Sequence, residues 1–145
     1  MYQVTIDELR KLIPTISKQD KNIPRKHITP IVQSEAGCGK TSLLKMIEED
    51  LGDGYDYIYV DCPVKDYSDI AMTIPNHDTQ SLKPYVGSLF KLDSDKPKVI
   101  LLDEFMKSPK MLQVIFTRLM LERYIGDTPL PDGSIVFGTS NNQSD

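Results

Sequence analysis

Ser34-Glu35-Ala36-Gly37-Cys38-Gly39-Lys40-Thr41-Ser42 follows the apolar run Ile28-Thr29-Pro30-Ile31-Val32 and precedes Leu43, Leu44, Ile47 and Leu51 at helical spacing. A strand, a glycine-bearing turn, Lys-Thr and then a helix make up the context a phosphate-binding loop needs. Gly37 and Gly39 let the backbone take positive φ and approach a polyphosphate closely. The amides of Cys38 through Thr41 then point inward, and the positive end of the following helix faces the same anion. Lys40 is expected to reach the β and γ phosphates, and the Thr41 hydroxyl is expected to ligate Mg²⁺. Ser34 stands where the full pattern begins with glycine, but the phosphate-touching residues Gly37, Gly39, Lys40 and Thr41 are intact. The bland alternative is a glycine-rich turn with an exposed lysine; the strand and helix on either side disfavour it.

The rest of the chain is consistent with a core built around that loop. Its 145 residues are 39% hydrophobic and 26% charged, which suits one α/β domain. A net charge of −4 argues against general nucleic-acid binding, so no nucleic-acid partner is indicated. No apolar run is long enough for a membrane helix and the N-terminus shows no signal-peptide pattern, so no membrane is expected. Cys38 and Cys62 have no metal-ligand spacing, and His27 and His77 form no motif with them. Free thiols in a reducing compartment are the simplest reading, and the cytoplasm is the expected location.

Thr5-Ile6-Asp7-Glu8 reads as a capping box opening a short helix with Ile6, Leu9, Leu12 and Ile13 on its apolar face, ended by Pro14. Residues 17–27 are polar and basic and read as a surface link, with a contact to the base or ribose of a nucleotide as the alternative. Residues 1–27 thus form an N-terminal helix and linker, and 28–145 the core. The helix from Lys40 to Leu51 ends at Gly52 and Gly54, with an unexplained acidic cluster, Glu48, Glu49 and Asp50, at its end. Tyr55 to Asp61 is an aromatic, β-branched strand. Residues 63–81 read mainly as loop with a turn of helix near Ser68-Asp69-Ile70, and a helix is expected over Leu82–Leu92 with Pro84 in its first turn.

Lys98-Val99-Ile100-Leu101-Leu102-Asp103-Glu104 is the second strong signal. A continuous apolar run is what a strand buried on both faces of a parallel sheet requires. Carboxylates at its C-terminal end lie where open α/β sheets bind ligands. Beside a phosphate loop, Asp103 is expected to hold Mg²⁺ largely through water, and Glu104 to polarise the attacking water. Ser108-Pro109 reads as an N-cap and first-position pair for an amphipathic helix carrying Leu112, Ile115, Phe116, Leu119 and Met120 on its core face. Arg118 and Arg123 lie off that stripe and are expected to be exposed, with a trans-acting role as the alternative. Gly126 is expected to stop the helix, and Ser134 to Thr139 to form a last strand, followed by Ser140-Asn141-Asn142.

With these pieces in order, the chain resembles the AAA+ ATPases, and within them the MoxR-like branch. The residues that carry this are GCGKTS at 37–42, VILLDEF at 99–105, SPKMLQVIFTRLMLER at 108–123 and IVFGTSNN at 135–142. The resemblance implies a phosphate-loop three-layer α/β fold with a mainly parallel sheet, ATP and Mg²⁺ as cofactors, and Asn141 as the residue that senses the γ-phosphate. It also implies that the Asn141 strand lies between the phosphate-loop strand and the Asp103 strand. The family's fifth strand, arginine finger and helical lid are not matched here, so an incomplete sheet with an uncovered apolar edge and slow hydrolysis by this chain are expected. The expected activity is Mg²⁺-dependent ATP hydrolysis coupled to remodelling a protein partner, in a homo-oligomeric ring when complete. A phosphotransferase on the same loop, or a nucleotide-binding module without turnover, are the competing functions.

Overall fold

Strands alternating with helices and a fully apolar run predict a parallel sheet covered on both faces. The computed structural model describes residues 2–4, 6–17, 29–34, 40–66, 70–76, 81–86, 88–126 and 128–141. In chain order the elements are β1 (Tyr2–Val4), α1 (Ile6–Ser17), β2 (Pro30–Ser34), α2 (Lys40–Leu51), β3 (Asp56–Asp61), β4 (Ala71–Asn76), β5 (Ser81–Val86), β6 (Lys98–Asp103), α3 (Lys110–Glu122), β7 (Tyr124–Ile125), β8 (Thr128–Pro129) and β9 (Ile135–Asn141). The main sheet has the order β1-β2-β9-β6-β3. Each of its pairings is parallel.

The two-residue period of the strands sorts their side chains onto two cores. Val32, Val99, Leu101, Ile135 and Phe137 face Leu9 and Ile13 of α1 and Leu43, Leu44 and Ile47 of α2. Ile31, Ile58, Val60, Ile100, Leu102 and Val136 face Leu112, Phe116, Leu119 and Met120 of α3. Every residue of β6 is buried, as a strand sandwiched between two helical layers must be. The β9 backbone runs so close to its neighbours that a Cβ on Gly138 would sit 3.1 Å from Phe105 and 3.2 Å from Ile31.

Several local expectations are corrected. Leu82–Leu92 is not a helix: β5 pairs antiparallel with β4, matching Thr73 to Pro84 and Pro75 to Leu82. In a two-stranded ribbon each strand is an edge, so both prolines are tolerated where a central strand would reject them. Among the described residues of that region, Ser88–Phe90 forms a 3₁₀ turn. Residues 67–69, where a turn of helix was expected, lie outside the described residues. α1 continues through Pro14 to Ser17. That proline removes one backbone hydrogen bond without ending the element. The N-terminal segment also holds a strand: β1 pairs with β2 from Tyr2–Pro30 to Val4–Val32, covering the sheet edge expected to lie open.

At the start of α3 the Ser108 hydroxyl donates to the Phe105 carbonyl (2.5 Å) instead of capping the helix, and Pro109 takes the N-cap position. The helix ends at Arg123, which adopts the left-handed conformation (φ 63°) and donates its N–H to Leu119 O; Gly126 follows in the β7–β8 turn. Arg123 is not exposed. Its Nη1 donates to Thr29 Oγ1 (2.8 Å) and to the Met120 carbonyl, and Thr29 Oγ1 donates to Met120 O (2.5 Å). A buried guanidinium thus closes the negative end of α3 and pins the entry to β2 against it. Burial pulls the Arg123 guanidinium down to about 10, still charged at neutral pH. The acidic end of α2 finds a partial explanation: Asp50 accepts from Arg10 Nε and Nη2 (both 3.0 Å), tying α1 to α2.

Candidate active site

Parallel strands end together, so the C-terminal edge of the sheet collects the segments that leave each strand. Ser34 of β2 is in register with Asn141 of β9, and Asp61 of β3 with Asp103 of β6. Val32 pairs with Thr139 and Leu102 with Gly138, so the ends of β2, β9 and β6 form one continuous edge. Asp103 alternates with Val99 and Leu101, which places it on the sheet face covered by α2. That helix begins at Lys40 and Thr41, directly after residues 35–39, and Ser42 in its first turn is exposed. Glu35, Ala36, Gly37, Cys38 and Gly39 lie outside the described residues.

The Asp103 carboxylate is buried and held at both oxygens. Thr139 Oγ1 donates to Oδ1 (2.5 Å), and the Tyr59 hydroxyl donates to Oδ2. The same Thr139 oxygen accepts the Glu104 backbone N–H (3.0 Å). Glu104 itself adopts the left-handed conformation, φ 53° and ψ 46°. Such a conformation costs a glutamate about 1–3 kcal/mol and persists where its surroundings over-determine it. Here the Thr139 bond and the 3₁₀ turn Phe105–Lys107, closed by Lys107 N to Glu104 O (3.0 Å), fix it. Burial first, and then the hydrogen bond to Asp103 and its charge, push the Tyr59 phenol well above the ordinary tyrosine range.

Sequence reasoning missed Tyr59 and Thr139. Tyr59 reads as ordinary strand filling, and only its register opposite Leu101, one diagonal step from Asp103, exposes its role. Thr139 was visible as part of a polar strand end, but its double hydrogen bond is a tertiary fact. Arg118 is exposed yet committed: Nε pairs with Glu122 (2.9 Å), Nη1 donates to the Gly126 carbonyl (2.5 Å), and the guanidinium stacks 5.1 Å from the Tyr124 ring.

The oxygen donors suit a hard divalent cation. Asp103 is a carboxylate acceptor, and oxygen ligands of this kind are what such a cation takes. Among the described residues no group of three His, Cys, Asp or Glu side chains gathers, so a cation here would complete its shell with phosphate and water. No helix among the described residues is long and apolar enough to cross a membrane.

A phosphate-loop helix start, a buried aspartate ending a later parallel strand and a polar-tipped strand between the two define a P-loop NTPase domain. The model of the viral superfamily 1 RNA helicase core domain matches residues 30–127, more than half of the sequence, and the chain belongs to that family. Among solved structures it is similar to a Cytophaga hutchinsonii protein described as a candidate ATPase, with TM-score 0.54 and 23% identity. The match covers 96% of this chain but 39% of that one, and at this identity it establishes the fold. No curated protein sequence matches.

Proposed function

We propose that the chain binds ATP with Mg²⁺ at the C-terminal edge of its sheet and hydrolyses the β–γ phosphoanhydride. The observation that carries this reading is the convergence of the α2 start, buried Asp103 and the Asn141 position on one edge of the sheet. The loop 34–42 wraps the phosphates with backbone amides, and Lys40 adds the side-chain cation. Thr41 and Asp103 hold the metal, Asp103 largely through water. When bound, Mg²⁺ would neutralise phosphate charge during the transfer. Glu104, fixed by its backbone, orients and polarises the attacking water, and Asn141 reports the γ-phosphate from the neighbouring strand.

The AAA+ likeness in β9 and its polar tip supports an AAA+-type cycle of the MoxR-like kind, coupled to remodelling a protein partner by a homo-oligomeric ring in the cytoplasm. The helicase-family match favours a second coupling, to movement along RNA. Lys40→Ala is expected to weaken binding of a fluorescent ATP analogue at least tenfold. Glu104→Gln is expected to keep binding while phosphate release falls at least a hundredfold, because shape is kept and basicity lost. Equal loss of binding in both variants contradicts the assigned roles. Phosphate release stimulated by single-stranded RNA selects the second coupling; release indifferent to RNA favours the first.

A further inference from the structure

A carboxylate that serves a metal usually works through the groups that orient it. Asp103 is oriented from both sides: the neighbouring strand β9 supplies the Thr139 hydroxyl to Oδ1, and β3 on the other side supplies the Tyr59 hydroxyl to Oδ2. With each oxygen engaged, the group cannot rotate without breaking a buried hydrogen bond. Tyr57, two residues earlier on the same face of β3, spends its hydroxyl elsewhere, on the Gly52 carbonyl (2.6 Å) at the end of α2. The two tyrosines therefore separate a site function from a packing function on one strand.

We infer that Tyr59 is a positioning residue of the metal–nucleotide site, clamping Asp103 together with Thr139 so that the carboxylate receives metal-bound water and resists a bidentate grip. The inference rests on the Mg²⁺–ATP reading above and deepens it. Mg²⁺ retains ordered waters and demands near-octahedral geometry, whereas Ca²⁺ takes more oxygens and favours bidentate carboxylates. A carboxylate held in one orientation by a hydroxyl at each oxygen turns less readily into the bidentate grip that Ca²⁺ favours, and so favours Mg²⁺. Without the phenol, Oδ2 loses that hydrogen bond and the preference fades.

The test reads binding of a fluorescent ATP analogue by the full chain across Mg²⁺ and Ca²⁺ titrations, with melting temperatures recorded alongside. Tyr59→Phe is expected to raise the half-saturating Mg²⁺ concentration about tenfold, the low end of what loss of a metal ligand's supporting partner costs. The Ca²⁺ requirement changes far less, so the Mg²⁺/Ca²⁺ preference shrinks. Thr139→Val behaves in the same direction, Thr139→Ser retains the wild-type preference, and Tyr57→Phe lowers the melting temperature without touching it. A folded Tyr59→Phe with wild-type Mg²⁺ dependence and preference overturns the inference alone. Wild-type protein whose analogue binding ignores metal overturns the Mg²⁺–ATP reading and the inference with it. If Tyr59→Phe does not fold, Thr139→Val against Thr139→Ser decides in its place, and equal metal preference in those two overturns the clamp.

Discussion

Single residues in this chain do more than their types announce. Lys98 is a fully buried lysine at the head of β6, its ammonium donating to Asp56 Oδ2 (2.6 Å) and the Ser94 carbonyl (3.0 Å). The hydrogen bond from Lys98 is the main reason that the Asp56 carboxyl lies below its ordinary range. A depressed folded value means that the stabilisation is present above the unfolded carboxylate value, about 3.9, and is lost as pH falls through the folded value. Asp56→Asn is therefore expected to lower stability near neutral pH by about 1–3 kcal/mol, since it leaves a buried cation one partner short. The deficit shrinks as pH falls through the folded carboxyl's depressed value, where the wild-type carboxyl protonates as well. Melting temperatures of both proteins from neutral pH down to the acid limit of folding check this; a gap that stays constant all the way to acid unfolding contradicts it. Asp50, exposed beside Arg10, titrates in the same direction and is unaffected by the substitution.

At the scale of elements, strands with continuous or alternating apolar patterns were legible: β2, β3, β6 and β9 lie within a residue or two of expectation at most ends. Their order, with β9 between β2 and β6, follows the resemblance and is what the sheet shows. The β4–β5 ribbon was not legible, because Leu82, Tyr85 and Val86 fit a short helix as well as a strand and pairing alone decides between them. β1 was missed because three residues carry no period. Arg123 was misjudged because helical spacing places it off the core stripe, whereas Thr29, at the entry to β2, packs against it. Of the candidate site, Asp103 and its neighbours were readable from the strand end, but the hydroxyls that hold it were not. Gly138 tests how tightly β9 is seated. Gly138→Val is expected to cost about 1–3 kcal/mol through overpacking against Phe105 and Ile31, seen as a lower denaturant midpoint. An unchanged midpoint would mean that the Phe105 turn yields freely.

For the whole molecule, phosphoryl transfer asks for positive charge on the γ oxygens, and an arginine supplied for that purpose is worth about 10³ to 10⁵ in rate. Among the described residues the arginines are committed within the fold: Arg10 to Asp50, Arg118 to Glu122, Gly126 and Tyr124, and Arg123 to Thr29 and the end of α3. Residues 1–145 alone are therefore expected to bind Mg²⁺–ATP yet release phosphate near background, with turnover rising more than linearly with protein concentration or on adding a partner. Rapid turnover strictly proportional to protein concentration would show that no outside cation is needed.

The central place of β9 also governs when this molecule comes into being. The phosphate loop leaves the second strand, but that strand touches the Asp103 strand only through residues 135–141. Ile135, Val136 and Phe137 are wholly buried, so until they insert, the two halves of the sheet face each other across an unfilled apolar slot. Pairings so distant along the chain close slowly. On the proposed reading, a nascent chain that has already made β2, α2 and the Asp103 strand is therefore expected to hold no assembled site. The proposed site is expected to assemble late and in one step, with the strand that joins the halves.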